Sequence, residues 1–311
     1  PWSPSVTKPT DNAISSTYLS HEWAASQTLE AIRKRRQNPH LGLRAYLGTL
    51  DNPGGMEPIM PGDIAFMYGL PGHGKTKCAI QWLDIHDRAM TSAGNDELSV
   101  YVTLDDSIEH IVTALMAIHS GIPRANIKRG NLSDEDWIKL SGAGPNAYAV
   151  RFAGRRIYFV GYSQQNSETL PSFTPRPIVS ALHAIEREDG RKVRTIFIDH
   201  LHAMDTQGFE RESHTLTLNG MCQYLKSAGA AAGWQTVLLA QAKQEIETRR
   251  DPVPTDRDVE HTNSARQIAN FMIGLERPWK FKDTFPTMKK GESYHGIALG
   301  SATSDLLSAP F

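Results

Sequence analysis

Cysteine is nearly missing from this chain, with only Cys78 and Cys222 among 311 residues. Two thiols cannot build the disulfide framework of a small secreted domain, and a reducing compartment fits best. An excess of either charge is missing too. Lys and Arg total 33 against 34 Asp and Glu, for a net charge of −1. That balance excludes a broad basic surface for nucleic acid, so any contact with DNA or RNA must come from a local patch, such as loops lining a channel. No apolar run is long enough to span a membrane. The N-terminus lacks the basic-then-apolar profile of a signal peptide. There is no internal repeat and no low-complexity tract. The chain opens at Pro1 without a Met and reads as a fragment or a processed product. Its length allows one large α/β domain plus an arm, or two small domains.

The most informative segment that is present runs Gly69-Leu70-Pro71-Gly72-His73-Gly74-Lys75-Thr76. It follows the apolar run Ile64–Tyr68 and leads into Lys77-Cys78-Ala79-Ile80, so strand, glycine loop and helix follow in order. The spacing is G-x-x-x-x-G-K-[ST]. Glycines let backbone N–H groups turn inward around phosphate oxygens, and the helix that follows aims its positive end at the same anion. Lys75 is placed to reach the β- and γ-phosphates, and the Thr76 hydroxyl to hold Mg²⁺. An ordinary glycine turn leaves the Lys-Thr pair at the helix start unexplained. Residues 69–77 are therefore the expected nucleotide-binding segment. Cys78, just after it, reads as a small packed residue.

Apolar runs and helical patterns alternate along the rest of the chain. Strands are expected at 64–68, 99–104, 156–161, 194–199, 235–240 and 270–275. Helices are expected at 75–90, 107–119, 177–188, 214–232 and 263–270. This β–α alternation implies a mostly parallel sheet with helices on both faces. Residues 122–155 show no clear period, and 162–176 read as a polar loop. Ahead of the core, residues 21–37 read as a helix in which Trp23, Leu29 and Ile32 share a face and the last turn is basic. It either packs on its own domain or docks on a neighbouring subunit. The expected division is an arm over 1–55 and an ATPase domain over 56–311.

Three strand ends carry polar groups. Arg194–Ile198 is a buried-strand pattern ending in Asp199; next to a phosphate loop, such an acid holds the water shell of Mg²⁺. By itself a strand-end Asp is often just a turn or helix cap. Leu104-Asp105-Asp106-Ser107 ends another strand. Asp106 or Ser107 suits a helix cap, and one of the acids suits the general base that orients an attacking water. Of the two acids, Asp105 is the expected base. Gln241 ends the strand 235–240, where an amide either feels the γ-phosphate or bonds local backbone.

Together these residues resemble the hexameric ring helicases with a RecA-type ATPase core, which include the DnaB-like bacterial replicative helicases and the helicase half of phage and mitochondrial primase–helicases. The resemblance covers roughly residues 21 to 277. Four blocks carry it in order: Gly69–Thr76 with Pro61-Gly62-Asp63 ahead of it, Leu104–Ser107, Ile196–His202, and Leu238–Arg277. It implies a RecA-like P-loop core preceded by a linker helix that docks on the adjacent subunit. It implies ATP and Mg²⁺ as cofactors, a homo-oligomeric ring of six, single-stranded DNA as partner, and a cytoplasmic setting in a bacterium or phage-infected host, or an organelle matrix. Asp105 takes the place of the catalytic glutamate, Asp199 that of the Walker B acid, and Gln241 that of the γ-phosphate sensor. Arg266 falls where the phage branch carries an arginine that reaches phosphate. Lys243, Arg249, Arg250 and Arg257 fall in the loop that lines the family's channel, where cations contact the backbone of DNA without reading bases. A solvated charged loop has the same composition.

Two departures stand out. Asp105 is one methylene shorter than the family's glutamate. The family also ends its core with a cationic strand that offers an arginine finger, whereas residues 294–305 contain no Lys or Arg. Loss of a finger costs on the order of a thousandfold in turnover. Lys280, Lys282, Lys289 or Lys290 are the cations left to substitute. The leading expectation is an ATP-driven ring helicase. The alternatives are a recombination or annealing ATPase that binds single strands without unwinding, and a nucleotide-gated assembly protein. A small-molecule kinase shares the phosphate loop but not the block from Gln241 to Arg277.

Overall fold

Burial of nearly every residue along the central strands fixes the architecture. The computed structural model describes residues 21–37, 41–46, 56–165, 172–249, 253–261, 265–276, 296–301 and 307–309. Its strands are β1 Ile64–Gly69, β2 Leu98–Thr103, β3 Ile157–Gly161, β4 Val193–Asp199, β5 Gln235–Gln241, β6 Phe271–Glu276, β7 Gly296–Ser301 and β8 Leu307–Ala309. They form one sheet in the order β3-β2-β4-β5-β1-β6-β7-β8. The first six in that order are parallel, and β7 and β8 add to the edge in antiparallel fashion.

The helices are α1 His21–Gln37, α2 Lys75–Ser92, α3 Ile108–Ser120, α4 Arg124–Arg129, α5 Asp134–Ser141, α6 Tyr148–Phe152, α7 Pro175–Asp189, α8 His214–Ala232 and α9 Ala265–Ile268. Both faces of the sheet are covered, as the near-continuous apolar strands require. Phe66, Val102, Ile198 and Leu238 point to one face, where Leu182 of α7 and Met221 and Leu225 of α8 bury them. Met67, Tyr101, Phe197 and Leu239 point to the other, under Ile80 and Leu83 of α2 and Leu115 of α3.

The long elements agree with the alternating pattern in the sequence to within two residues at their ends. The stretch 122–155 is not irregular, however: it holds α4, α5 and α6, of six, eight and five residues. Helices this short span too few turns to show a period. In α5 local chemistry marks the start instead. Ser133 and Asp136 form a reciprocal capping box at the start of α5, which satisfies otherwise orphaned backbone donors.

The chain divides into two compact units at Leu41/Gly42, earlier than a 55/56 boundary. Leu43 and Ile59 exchange backbone hydrogen bonds at 2.9 Å and are fully buried, so the segment from Gly42 belongs to the sheet's unit. In the first unit, α1 is a 17-residue helix with Lys34, Arg35 and Arg36 in its last turn. Its Leu29 and Ile32 are exposed, and the side chain of Trp23 lies outside the described residues.

Under α2 lies a buried ionic cluster. Arg155 donates to Asp84 Oδ1 at 2.9 Å and also grips Asp87, and both carboxylates are at most 2% exposed. Burial pushes the Asp87 carboxyl up despite the guanidinium. Arg155→Met leaves two acids without this cation. The expected loss is about 3–5 kcal/mol of unfolding free energy, read by urea denaturation. A loss below about 1 kcal/mol shows that the acids find other partners.

Candidate active site

In a parallel sheet the strands point the same way, so loops leaving their carboxyl ends gather at one rim. Gly69 of β1 lies in register with Gln241 of β5, and Thr103 of β2 with Asp199 of β4. The phosphate loop, Asp105, Asp199 and Gln241 therefore leave neighbouring points of that rim, although 172 residues separate the first of them from the last (241 − 69).

The glycines shape the loop. Gly72 and Gly74 have φ of 75° and 94°, backbone that other residues rarely adopt. Pro71 and Gly72 are exposed at the loop's tip. His73 turns its side chain inward, where it is 3% exposed, and its N–H donates to Leu70 O at 3.1 Å. Lys75 lies inside the curve, with Nζ donating to Gly69 O at 2.7 Å and Leu70 O at 3.2 Å. Lys77 is exposed on the first turn of α2. Gly69 is needed for a second reason: a Cβ there would stand 2.6 Å from the carbonyl oxygen of Leu275 on β6. Gly69→Ala must push β1 and β6 apart. The expected cost is about 1–3 kcal/mol, with weakened binding of a fluorescent ATP analogue. Unchanged melting and unchanged binding contradict this.

Asp199 is 8% exposed and carries the densest bonding at the rim. The Thr76 hydroxyl donates to its Oδ2 at 2.7 Å, and the Tyr101 hydroxyl donates to the same oxygen at 2.8 Å. Burial raises the carboxyl above its ordinary range against both hydrogen bonds and the nearby Lys75. Tyr101 went unnoticed in the sequence because it sits inside an apolar strand run and looks like a core aromatic.

The two acids after β2 part company. Asp106 lies 3.4 Å from His110 Nδ1, and its carboxyl is raised by burial and by the charge of Asp105. Ser107 caps α3 by accepting from the His110 N–H. Asp105 is exposed, next to Leu104, whose N–H donates to Asp199 O at 2.8 Å. Its charge acts on His200.

The Gln241 amide meets a group not expected from the sequence. Its Nε2 lies 3.1 Å from His200 Nε2, and the Gln241 backbone N–H donates to His202 Nδ1 at 3.3 Å. Burial lowers both imidazoles below their ordinary range, and His200 feels Asp199, Asp105 and Lys75 as well.

The remaining candidates lie in the loop that leaves Gln241 and in α9. Arg266 lies in α9, which leads into the start of β6. There Asn270 N–H donates to Ile64 O, at the opposite end of β1 from the phosphate loop. Its Nε pairs with Asp256 at 2.9 Å. Arg249 is committed to a structural partner, since its guanidinium holds Asp258, which is 1% exposed. Burial raises Asp258, but Arg249 and Thr255 outweigh it and keep the carboxyl below its ordinary range. Lys243 donates from Nζ to Arg257 O at 3.1 Å, while the Arg257 side chain is exposed. Arg250, Arg277, Lys280, Lys282, Lys289 and Lys290 lie outside the described residues.

A doubly covered parallel sheet with a P-loop at its central strand, an acid at the end of β4 and an amide at the end of β5 defines a P-loop ATPase with a RecA-like core. More narrowly, the chain belongs to the DnaB-like helicase C-terminal domain family, which matches residues 42–295. The replicative DNA helicase DnaB of Buchnera aphidicola subsp. Schizaphis graminum is 24% identical over 257 residues, which are 82% of this chain and 51% of that protein. The replicative DNA helicase DnaC of Bacillus subtilis (strain 168) is 26% identical over 219 residues, or 69% of this chain and 43% of that protein. The chain thus spans about half the length of the curated relatives it matches. Among solved structures, an ATPase domain aligns over 94% of both chains with a TM-score of 0.73 at 16% identity. A DnaB-like replicative helicase, described with its interactions with primase, aligns over 81% of this chain and 56% of its own with a TM-score of 0.63, also at 16% identity. No helix among the described residues is long and apolar enough to cross a membrane.

Proposed function

We propose that this domain is the motor of a ring-forming helicase that moves along single-stranded DNA, driven by ATP hydrolysis. The observation that carries this reading is the rim itself. The charged loop 243–258 leaves β5 directly after Gln241, so a residue beside the phosphate loop is also the root of the loop proposed to contact DNA.

Each role is assigned from the residue's position and its chemistry. The backbone N–H groups of residues 72–76 cradle phosphate oxygens, and Lys75 supplies a cation inside the cradle. The Thr76 hydroxyl and the Asp199 carboxylate form a hard-oxygen pair suited to Mg²⁺, which is content with one or two protein oxygens and several waters. Among the described residues no group of three His, Cys, Asp or Glu side chains could hold a metal by itself, so the ion would be shared with phosphate. When bound, Mg²⁺ neutralises charge on the phosphates. Asp105 is exposed and placed to accept the proton of an attacking water. The Gln241 amide is placed to donate to a γ-phosphate oxygen in exchange for His200. Lys243 and Arg257, with Arg250, would supply the loop's contacts to the DNA backbone. Arg266 is assigned to a phosphate contact, for which its guanidinium would exchange Asp256.

The direct test is ATP turnover with and without single-stranded DNA, beside mass in solution with a non-hydrolysable ATP analogue. DNA-stimulated turnover in an assembly of about six chains is expected. A monomer without DNA stimulation sinks the motor reading. One observation favours a second reading, a RecA-like ATPase that binds single strands without unwinding: β7, paired with β6 at the sheet edge, reads Gly-Ile-Ala-Leu-Gly-Ser and offers no cation for a finger. Unwinding of a forked duplex separates the two.

A further inference from the structure

The loop that leaves Gln241 is closed at its base like the mouth of a bag. Ala242 and Val259 form an antiparallel bridge, Lys243 N–H donates to Asp258 O at 2.8 Å, and Glu260 N–H donates to Gln241 O at 2.9 Å. A side chain from another element spans this base. His202, in the one-turn 3₁₀ helix Leu201–Ala203 just after Asp199, accepts at Nδ1 from Gln241 N–H (3.3 Å) and faces Glu260 O with Nε2 (2.9 Å).

The chemistry of the two partners leaves no choice of tautomer. A backbone N–H can only donate and a carbonyl can only accept, so the ring is neutral with its proton on Nε2. Such a ring is stiff and fixed at both nitrogens. The groups facing it are His200, with ring centres 6.1 Å apart, His261 at 6.2 Å, and Glu260. His214, at the start of α8, in turn stands 5.2 Å from His261. The neighbouring imidazole, His200, meets the amide end of Gln241. Two histidines of one turn therefore hold Gln241 at its side chain and at its backbone, and the second also holds the far side of the loop's base.

We infer that His202 is a positioning residue that carries a movement of Gln241, caused by bound nucleotide, to the loop 243–260. This rests on the reading of Gln241 as the γ-phosphate sensor and of the loop as a DNA contact. When the amide leaves His200 for phosphate, the Gln241 backbone shifts against a ring whose other nitrogen is tied to Glu260, so both sides of the base move as one. Without the ring, the loop is attached to the sensor by backbone alone. A coupling needs such a contiguous element that both sites bias.

The test is hydrogen exchange of residues 243–260 with and without a non-hydrolysable ATP analogue and Mg²⁺, in the wild type and in three variants. His202→Phe keeps a ring and loses both bonds. His202→Asn keeps an acceptor near Gln241 but cannot reach Glu260. His202→Gln keeps a donor at the reach of Nε2. The wild-type loop is expected to change its exchange rate on nucleotide binding. That change should shrink about fivefold or more in the Phe and Asn variants, and should return in part with Gln. The inference is overturned if either the Phe or the Asn variant responds as the wild type does, or if the wild-type loop ignores nucleotide. The exchange measurement needs no DNA, so its failure is separate from that of the motor reading, which rests on stimulation of wild-type turnover by single-stranded DNA.

Discussion

Lys75→Ala is expected to lower ATP turnover by about a hundred- to a thousandfold, the usual effect of removing one charged donor aimed at developing negative charge. The reason lies in the placement of its ammonium group. Nζ is held at 2.7 Å from Gly69 O and 3.2 Å from Leu70 O, inside a loop whose glycines bend backbone around the same point. A phosphate oxygen at that point meets both the charge and the N–H groups. Hydrogen bonds to charged groups contribute about 1.5–3 kcal/mol each, so binding of a fluorescent ATP analogue should weaken as well. Because Lys75 also bridges two loop carbonyls, the Ala variant relaxes the loop slightly. Lys75→Met keeps the stem and separates the loss of charge from the loss of packing. Phosphate release by both variants, with circular dichroism to show that they fold, makes the comparison. Turnover within about threefold of wild type in both would remove Lys75 from the site and, with it, the P-loop reading.

The second large effect is expected at Asp199, and it has two signs. Asp199→Asn should lower turnover by about a hundredfold or more, because the proposed Mg²⁺ partner loses its charge. The same change should leave the fold as stable or raise its melting temperature. Burial raises the folded-state pKa of this carboxyl above its unfolded value. The folded chain then binds the proton more tightly than the unfolded chain does. Stability therefore falls as pH rises from the ordinary carboxylate range up to the folded value, and above that value the full penalty of a buried charge is present. An amide carries no such penalty, and its oxygen still accepts from Thr76 and Tyr101. For a domain of this size each kcal/mol regained appears as about 2–4 °C. Calorimetry of the two proteins at neutral pH reads the sign. A variant that melts well below wild type shows that the charge at Asp199 supports the fold rather than straining it. A variant that turns over normally shows that another acid holds the metal.

Much of this was legible in the sequence. The P-loop was, because its chemistry requires particular residue types at fixed spacing along one strand–loop–helix segment. So were the six parallel strands and the long helices, because burial on both faces writes continuous apolar runs into the strands and a 3.6-residue period into the helices. Asp199 and Gln241 stood out as polar groups at the ends of such runs. The short helices α4 to α6 did not, since five to eight residues make too few turns to show a period.

Which of these groups meet is a matter of the folded arrangement. Tyr101 on β2 and Thr76 on α2 share one oxygen of Asp199 on β4, a meeting set by sheet order rather than by any local pattern. Arg249 looked like a cation available to DNA until the fold placed the buried carboxylate of Asp258 against it. Arg266 fell in a block that resembles a phosphate-reaching segment, and the fold pairs its guanidinium with Asp256 of the loop that leaves β5. His200 and His202 fall in the block Ile196–His202, and each gained a partner only when β5 brought Gln241 between them. Neighbours along the chain suffice to specify the strand–loop–helix that binds phosphate and the kind of sheet behind it, since both depend on spacing within a few tens of residues. The partner of each charge needs the packed fold, because hydrogen bonds act over about 3 Å in space while the residues that make them lie tens to hundreds of positions apart.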